Sequence, residues 1–125
     1  MASTKVMSIL LASTNPQRLR DWYVEAFTPD TEDQTGPYRI LGFGGFYLLI
    51  DERADIGERN PEPGRVIINF DVPDANAAAA KLDAAGTEWL AKLEDREGSL
   101  FATAIDPDGN YIQLVQLSEA ARNQM

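Results

Sequence analysis

The chain has 125 residues, 44% of them hydrophobic, with 11 basic and 20 acidic side chains and a formal net charge of −9. That length suffices for one domain burying roughly two-thirds of its unfolded surface, and the composition is that of a folded globular protein. With neither cysteine nor histidine, the chain has no disulfide, thiolate metal site or cysteine nucleophile and lacks the commonest zinc, copper or iron ligand; its negative field disfavours nucleic acid and anionic lipid.

In chain order, Lys5 and VMSILLA resemble the start of a signal peptide. Ser8 interrupts the apolar run and no A-x-A site follows, so the segment reads as a buried strand entering a helix cap. No stretch nears the roughly 18 apolar residues that cross a bilayer, and a cytoplasmic location is expected. Asn15 caps a helix that has Pro16 at its first position. Leu19, Trp22, Tyr23, Ala26 and Phe27 follow at helical spacing and form one apolar stripe; Trp22 is expected to pack behind the sheet. A short strand is expected within Thr28–Gly36. PYRILGF and FYLLIDE flank Gly44-Gly45, a two-residue hairpin signal.

The polar segment with two prolines, Asp51–Gly64, reads as a linker. The plan then repeats: RVIINFDVP is a strand, Asp74 caps an alanine-rich helix that stops at Gly86, and Glu88–Leu93 begins a strand. LFATAID and YIQLVQL flank a Pro-Asp-Gly turn. The expected class is α+β: two βαβββ modules (5–52 and 64–117, linker 53–63) forming a rolled mixed sheet around a cavity, with helices outside. Neither module covers both faces of its own sheet, so the modules pair, within one chain or across a homodimer.

The segments ASTNPQRLRDWYVEAF, INFDVPDANAAAAKLDAAG and FATAIDPDGNYIQLVQL resemble the vicinal oxygen chelate superfamily of glyoxalase I, extradiol dioxygenases and bleomycin-resistance proteins. The last is similar to the family's DPDGN-x-I-E-L ending. The resemblance implies four metal-ligand positions, usually His or Gln on the first strand of each module and Glu on the last. Counting from the caps and hairpins places Ser8 and Ile67 at the first-strand positions, Leu48 and Gln113 at the last-strand ones. A hydroxyl, two hydrocarbons and one amide are too weak a set for a catalytic divalent ion, which generally needs about three strong donors. No metal and no cofactor are expected.

Strand alternation adds neighbours to these positions. Asn69 shares the face of Ile67; Tyr111 and Val115 share that of Gln113. A two-residue hairpin loop sets Leu41 opposite Leu48 and puts Arg39, Phe43, Phe46 and Ile50 on that same face. The candidate ligand-binding residues are therefore Ser8, Arg39, Phe46, Leu48, Ile67, Asn69, Trp89, Tyr111 and Gln113. They suit a mostly apolar cup with a few polar handles, Trp89 serving as a stacking wall or a dimer contact. For each the competing reading is filled core. Asp106-Pro107-Asp108-Gly109 resembles a carboxylate pair, but turn chemistry accounts for it and no catalytic residue is assigned.

The favoured function is metal-free capture of a small organic molecule, a drug or metabolite and, given the acidity, a cationic one, as in the bleomycin-resistance branch. Two alternatives stay open. One is a non-catalytic dimeric interaction module; the other is a glyoxalase-type lyase, isomerase or dioxygenase with an atypical site.

Overall fold

The computed structural model describes residues 2–125, in two compact units, Met1–Glu58 and Arg59–Met125. The first unit runs β1 (Ser8–Ser13), α1 (Pro16–Phe27), β2 (Thr31–Thr35), β3 (Tyr38–Phe43) and β4 (Phe46–Glu52). The second runs β5 (Ile68–Asp71), α2 (Ala75–Ala84), β6 (Glu88–Arg96), β7 (Ser99–Ile105), β8 (Tyr111–Gln116) and α3 (Glu119–Arg122). Each unit is thus βαβββ, and a short C-terminal helix follows the second.

Each unit holds one four-stranded mixed sheet, ordered β1-β4-β3-β2 and β5-β8-β7-β6. The first strand pairs in parallel with the last, and the other contacts are antiparallel. The two sheets are therefore the same topology written twice, as the repeated strand–helix–hairpin pattern requires.

The caps act as their residue types dictate. Asn15 Oδ1 accepts from the Arg18 amide at 3.2 Å, and Asp74 Oδ1 accepts from the Ala77 amide at 3.1 Å. Each satisfies an amide that lacks a helical partner, an effect of about 1 kcal/mol. Ser13 Oγ accepts from the Asn15 amide, which fixes the entry into α1. At the α2 N-terminus a further amide, that of Ala75, donates to Gln116 Oε1 at 2.7 Å, tying the helix to β8.

Each helix covers one sheet face. In the first unit α1 packs on β1, β3 and β4, burying Leu19, Tyr23, Leu41, Leu48 and Ile50. Trp22 sets its ring edge-on to Tyr23 and Phe27, beside that core. In the second unit α2 packs on β6, β7 and β8, burying Ala75, Leu82, Ala102, Ala104, Ile112 and Leu114. Alanines on both sides let helix and sheet approach closely. The edge strand β2, TEDQT, is exposed throughout and carries charge, which discourages pairing with another chain. No helix among the described residues is long and apolar enough to cross a membrane.

Candidate functional site

The face opposite the helix, called here the open face, follows from register, because paired residues on neighbouring strands point the same way. In the first unit β1 pairs Ile9 with Leu48 and Ser8 with Tyr47. The two-residue hairpin is as expected, with Phe43 opposite Phe46, Leu41 opposite Leu48 and Arg39 opposite Ile50. Ile9, Leu48 and these hairpin pairs lie on the face that α1 covers, and Ser8 and Tyr47 on the other. Leu48 is 2% exposed, and Arg39 Nε donates to Gln17 Oε1 of α1 at 3.1 Å.

Three expected positions are thereby corrected. Leu48, Phe46 and Arg39 belong to the helix-covered face, and Ser8 lies on the other one. The FYLLI run is apolar on both faces, so counting from the hairpin could not say which of them α1 would cover.

The open face of the first unit carries instead three cross-strand rows. Ser8, Tyr47, Gly42 and Thr31 form one, and Leu10, Leu49, Ile40 and Asp33 the next. In the third, Ala12 pairs with Asp51 and Tyr38 with Thr35. Gly42 is required in the first row. A Cβ there would stand 2.1 Å from Thr31 Oγ1 and 3.3 Å from the Tyr47 ring, which lies across the glycine.

In the second unit Asn69, Tyr111 and Gln113 share the open face. Asn69 pairs with Gln113, and Gln113 with Thr103, so an amide, an amide and a hydroxyl form one row across β5, β8 and β7. Such a row spans roughly 10 Å. Val115, Phe101, Ile105 and Tyr111 flank it on the same face. The Tyr111 ring reaches the linker, 4.0 Å from where a Cβ on Gly64 would stand. Ile67 lies just before β5, 40% exposed and in phase with Asn69.

Trp89 is a further correction. It pairs with Ala104 on the helix-covered face, and its Nε1 donates to Asp83 Oδ1 of α2 at 2.7 Å. A register shift between Trp89 and Ala91 leaves Leu90 outside the regular ladder and 54% exposed. Thr103, by contrast, is a residue that sequence reasoning missed. Its signal was present, as the polar side chain at the middle of the alternating LFATAID.

The DPDG segment does structural work. Asp106 is 2% exposed, and its Oδ1 accepts from the amides of Asp108 and Asn110, both at 2.9 Å. Asn110 Nδ2 donates to Oδ2, also at 2.9 Å. Gly109 has φ +83°, and the Arg59 guanidinium lies 3.2 Å from where its Cβ would be, so no other residue fits comfortably.

At the far end of the second open face, Arg122 of α3 donates to both oxygens of Asp71 at 2.9 and 3.0 Å. Those hydrogen bonds hold the Asp71 carboxyl below the ordinary carboxylate range, against a weaker opposing effect of burial. A depressed folded-state pKa stabilises above the unfolded value of about 3.9 and is lost as pH falls through the folded value. Arg122→Ala is therefore expected to lower the melting temperature slightly at neutral pH, with the difference from the parent vanishing in acid. Thermal scans of both proteins against pH check this; high salt also shrinks the difference, because the pair is exposed.

The catalytic divalent metal that the superfamily resemblance implies does not fit these residues. Register offers Ser8 beside Tyr47 in one unit and Asn69 beside Gln113 in the other, hydroxyls and amides that are weak donors for such an ion. Asp71 is engaged by Arg122, and among the described residues no three Asp or Glu side chains group so as to hold an ion.

Comparison with known proteins bears on the same region. The model of the glyoxalase-like domain family matches residues 8–115. No curated protein matches the sequence. Among solved structures, a glyoxalase/dioxygenase from Nostoc punctiforme is similar with a TM-score of 0.78 and 16% identity, over 92% of each chain. The fosfomycin resistance protein FosX from Mesorhizobium loti gives 0.75 and 17%, over 98% of this chain and 99% of that one. TioX from Micromonospora sp. ML1 gives 0.66 and 21%, over 90% and 98%. At these identities the likeness is one of fold.

Proposed function

The chain belongs to the glyoxalase-like domain family, and on that premise we propose that it captures a small organic molecule on its open sheet faces without a catalytic metal. This reading puts it with the metal-free, bleomycin-resistance-like branch, acting as a homodimer on a drug or metabolite, with no nucleic acid or membrane partner.

The observation that carries it is the row Asn69–Gln113–Thr103. Two amides and a hydroxyl stand together on a face the helix leaves uncovered, and among the described residues none of the three side chains is hydrogen-bonded to protein. Such groups orient a ligand by donating and accepting, while Val115, Phe101 and Ile105 supply apolar contact. They supply neither a strong base nor an electrophile. Turnover would need a group of raised basicity or a bound ion to carry the proton or charge.

The test is to extract the purified full chain with organic solvent and identify what is released by mass spectrometry, then to return that molecule to the protein. The expected result is a bound compound recovered chemically unchanged, whose affinity falls about tenfold or more in Gln113→Leu through loss of a buried hydrogen bond. Recovery of a converted product would replace capture with catalysis.

A further inference from the structure

We infer that the open face of the first unit recognises an organic cation, an ammonium or guanidinium on an apolar body, with the Asp51 carboxylate as its counter-charge and the Tyr38 ring beside it. The inference rests on the capture reading and names the chemical class captured.

Asp51 is half-buried near the end of β4, and Ala12 is its register partner on β1. Continuing the Arg39–Ile50 register by one residue sets Tyr38 across from it on β3. Asp51 Oδ1 is shielded from solvent and has no hydrogen-bond partner; no other buried side-chain nitrogen or oxygen among the described residues is left so. A carboxylate stripped of part of its hydration, with no hydrogen bond in exchange, is costly to the fold. For the same reason it gains more from a counter-ion than a fully hydrated carboxylate does.

Among the described residues no cation is hydrogen-bonded or ion-paired to Asp51; Arg53 acts on it only through space. Arg53, two residues on, spends its guanidinium on Asp55 in two hydrogen bonds of 2.9 and 2.6 Å. Arg39 is held by Gln17 and Arg20 by Glu32, both on the α1 side of the sheet. The surroundings suit the rest of such a ligand. Tyr38 and Tyr47, 38% and 37% exposed, are aromatic side chains on the same face, of the kind that attract a cation. The neighbouring row, Leu10, Leu49 and Ile40, is hydrocarbon. A net charge of −9 favours the approach of any cation.

The test uses 15N-labelled full-length protein titrated with 2-phenylethylammonium chloride and, in parallel, with uncharged 2-phenylethanol. The amine is expected to shift the amide signals of Ala12, Tyr38 and Asp51, and the alcohol to leave them nearly unmoved. Asp51→Asn is expected to weaken amine binding about tenfold, the scale of losing one charge-assisted contact. Asp21→Asn, which removes the same charge from the exposed side of α1, should leave binding as in the parent. Removing an unpartnered buried charge should also keep or raise the melting temperature of Asp51→Asn, so lost binding is not lost folding.

Equal binding of amine and alcohol, absence of amine binding, or full amine affinity in Asp51→Asn overturns the inference. The capture reading fails on a different observation, the converted product described above. A neutral molecule recovered unchanged from the protein would leave capture standing and remove the cation.

Discussion

Replacing Asp106 by alanine is expected to lower the unfolding free energy by about 4 kcal/mol, a large part of the roughly 5–15 kcal/mol that holds a domain of this size. The buried carboxylate accepts two backbone amides and one side-chain amide. Alanine leaves the Asp108 and Asn110 amides inside the turn without the acceptor that replaced water. Asparagine keeps one carbonyl oxygen and should cost about half as much. Urea unfolding followed by tryptophan fluorescence measures both, with an unchanged slope showing that the effect lies in the folded state. If Asp106 were instead held for chemistry, alanine there would alter function while leaving the midpoint almost where it was.

The second large effect separates the two faces of the first sheet. Leu48→Ala is expected to cost about 3 kcal/mol, because the side chain is 2% exposed under α1 and its removal leaves a cavity. Leu10→Ala, on the open face and 48% exposed, should cost less than about 1 kcal/mol. The same fluorescence titration reads both. Similar losses at the two positions would mean that the open face is packed as tightly as the helix-covered one, and the ligand surface argued for there would be core.

This contrast also marks how much could be read from residues alone. The caps at Asn15 and Asp74, the Gly44-Gly45 hairpin and the DPDG turn are local devices whose chemistry lies within a few residues, and all appear as their side chains dictate. In the second unit polar residues interrupt the apolar pattern at Asn69 and Gln113, so alternation marks the open face correctly. β4 lacks such a mark. FYLLI is apolar at every position, and only the long-range parallel pairing of Ser8 with Tyr47 settles its phase. A one-residue error there carries Leu48, Phe46 and Arg39 to the wrong side of the sheet.

Trp89 was misplaced for a related reason. Its partner, Asp83, lies on α2, and the irregular β6 breaks simple alternation. The C-terminal helix, anchored by Ser118 to Ser99 and by Arg122 to Asp71, depends on contacts distant in sequence and leaves no periodic signal of its own. Asp51 stands both in the strand segment FYLLIDE and at the head of the polar run Asp51–Gly64; the structure makes it part of β4, with one oxygen buried, which no residue pattern marks.

The donor chemistry of the open faces is what separates capture from turnover in this chain. Its most direct test is elemental analysis of untagged protein, incubated with Mn, Fe, Ni and Zn salts and then dialysed. The account predicts far less than one ion per chain, with the same residue of metal in Gln113→Ala as in the parent. Retention of one ion per chain, lost in Gln113→Ala, would contradict it.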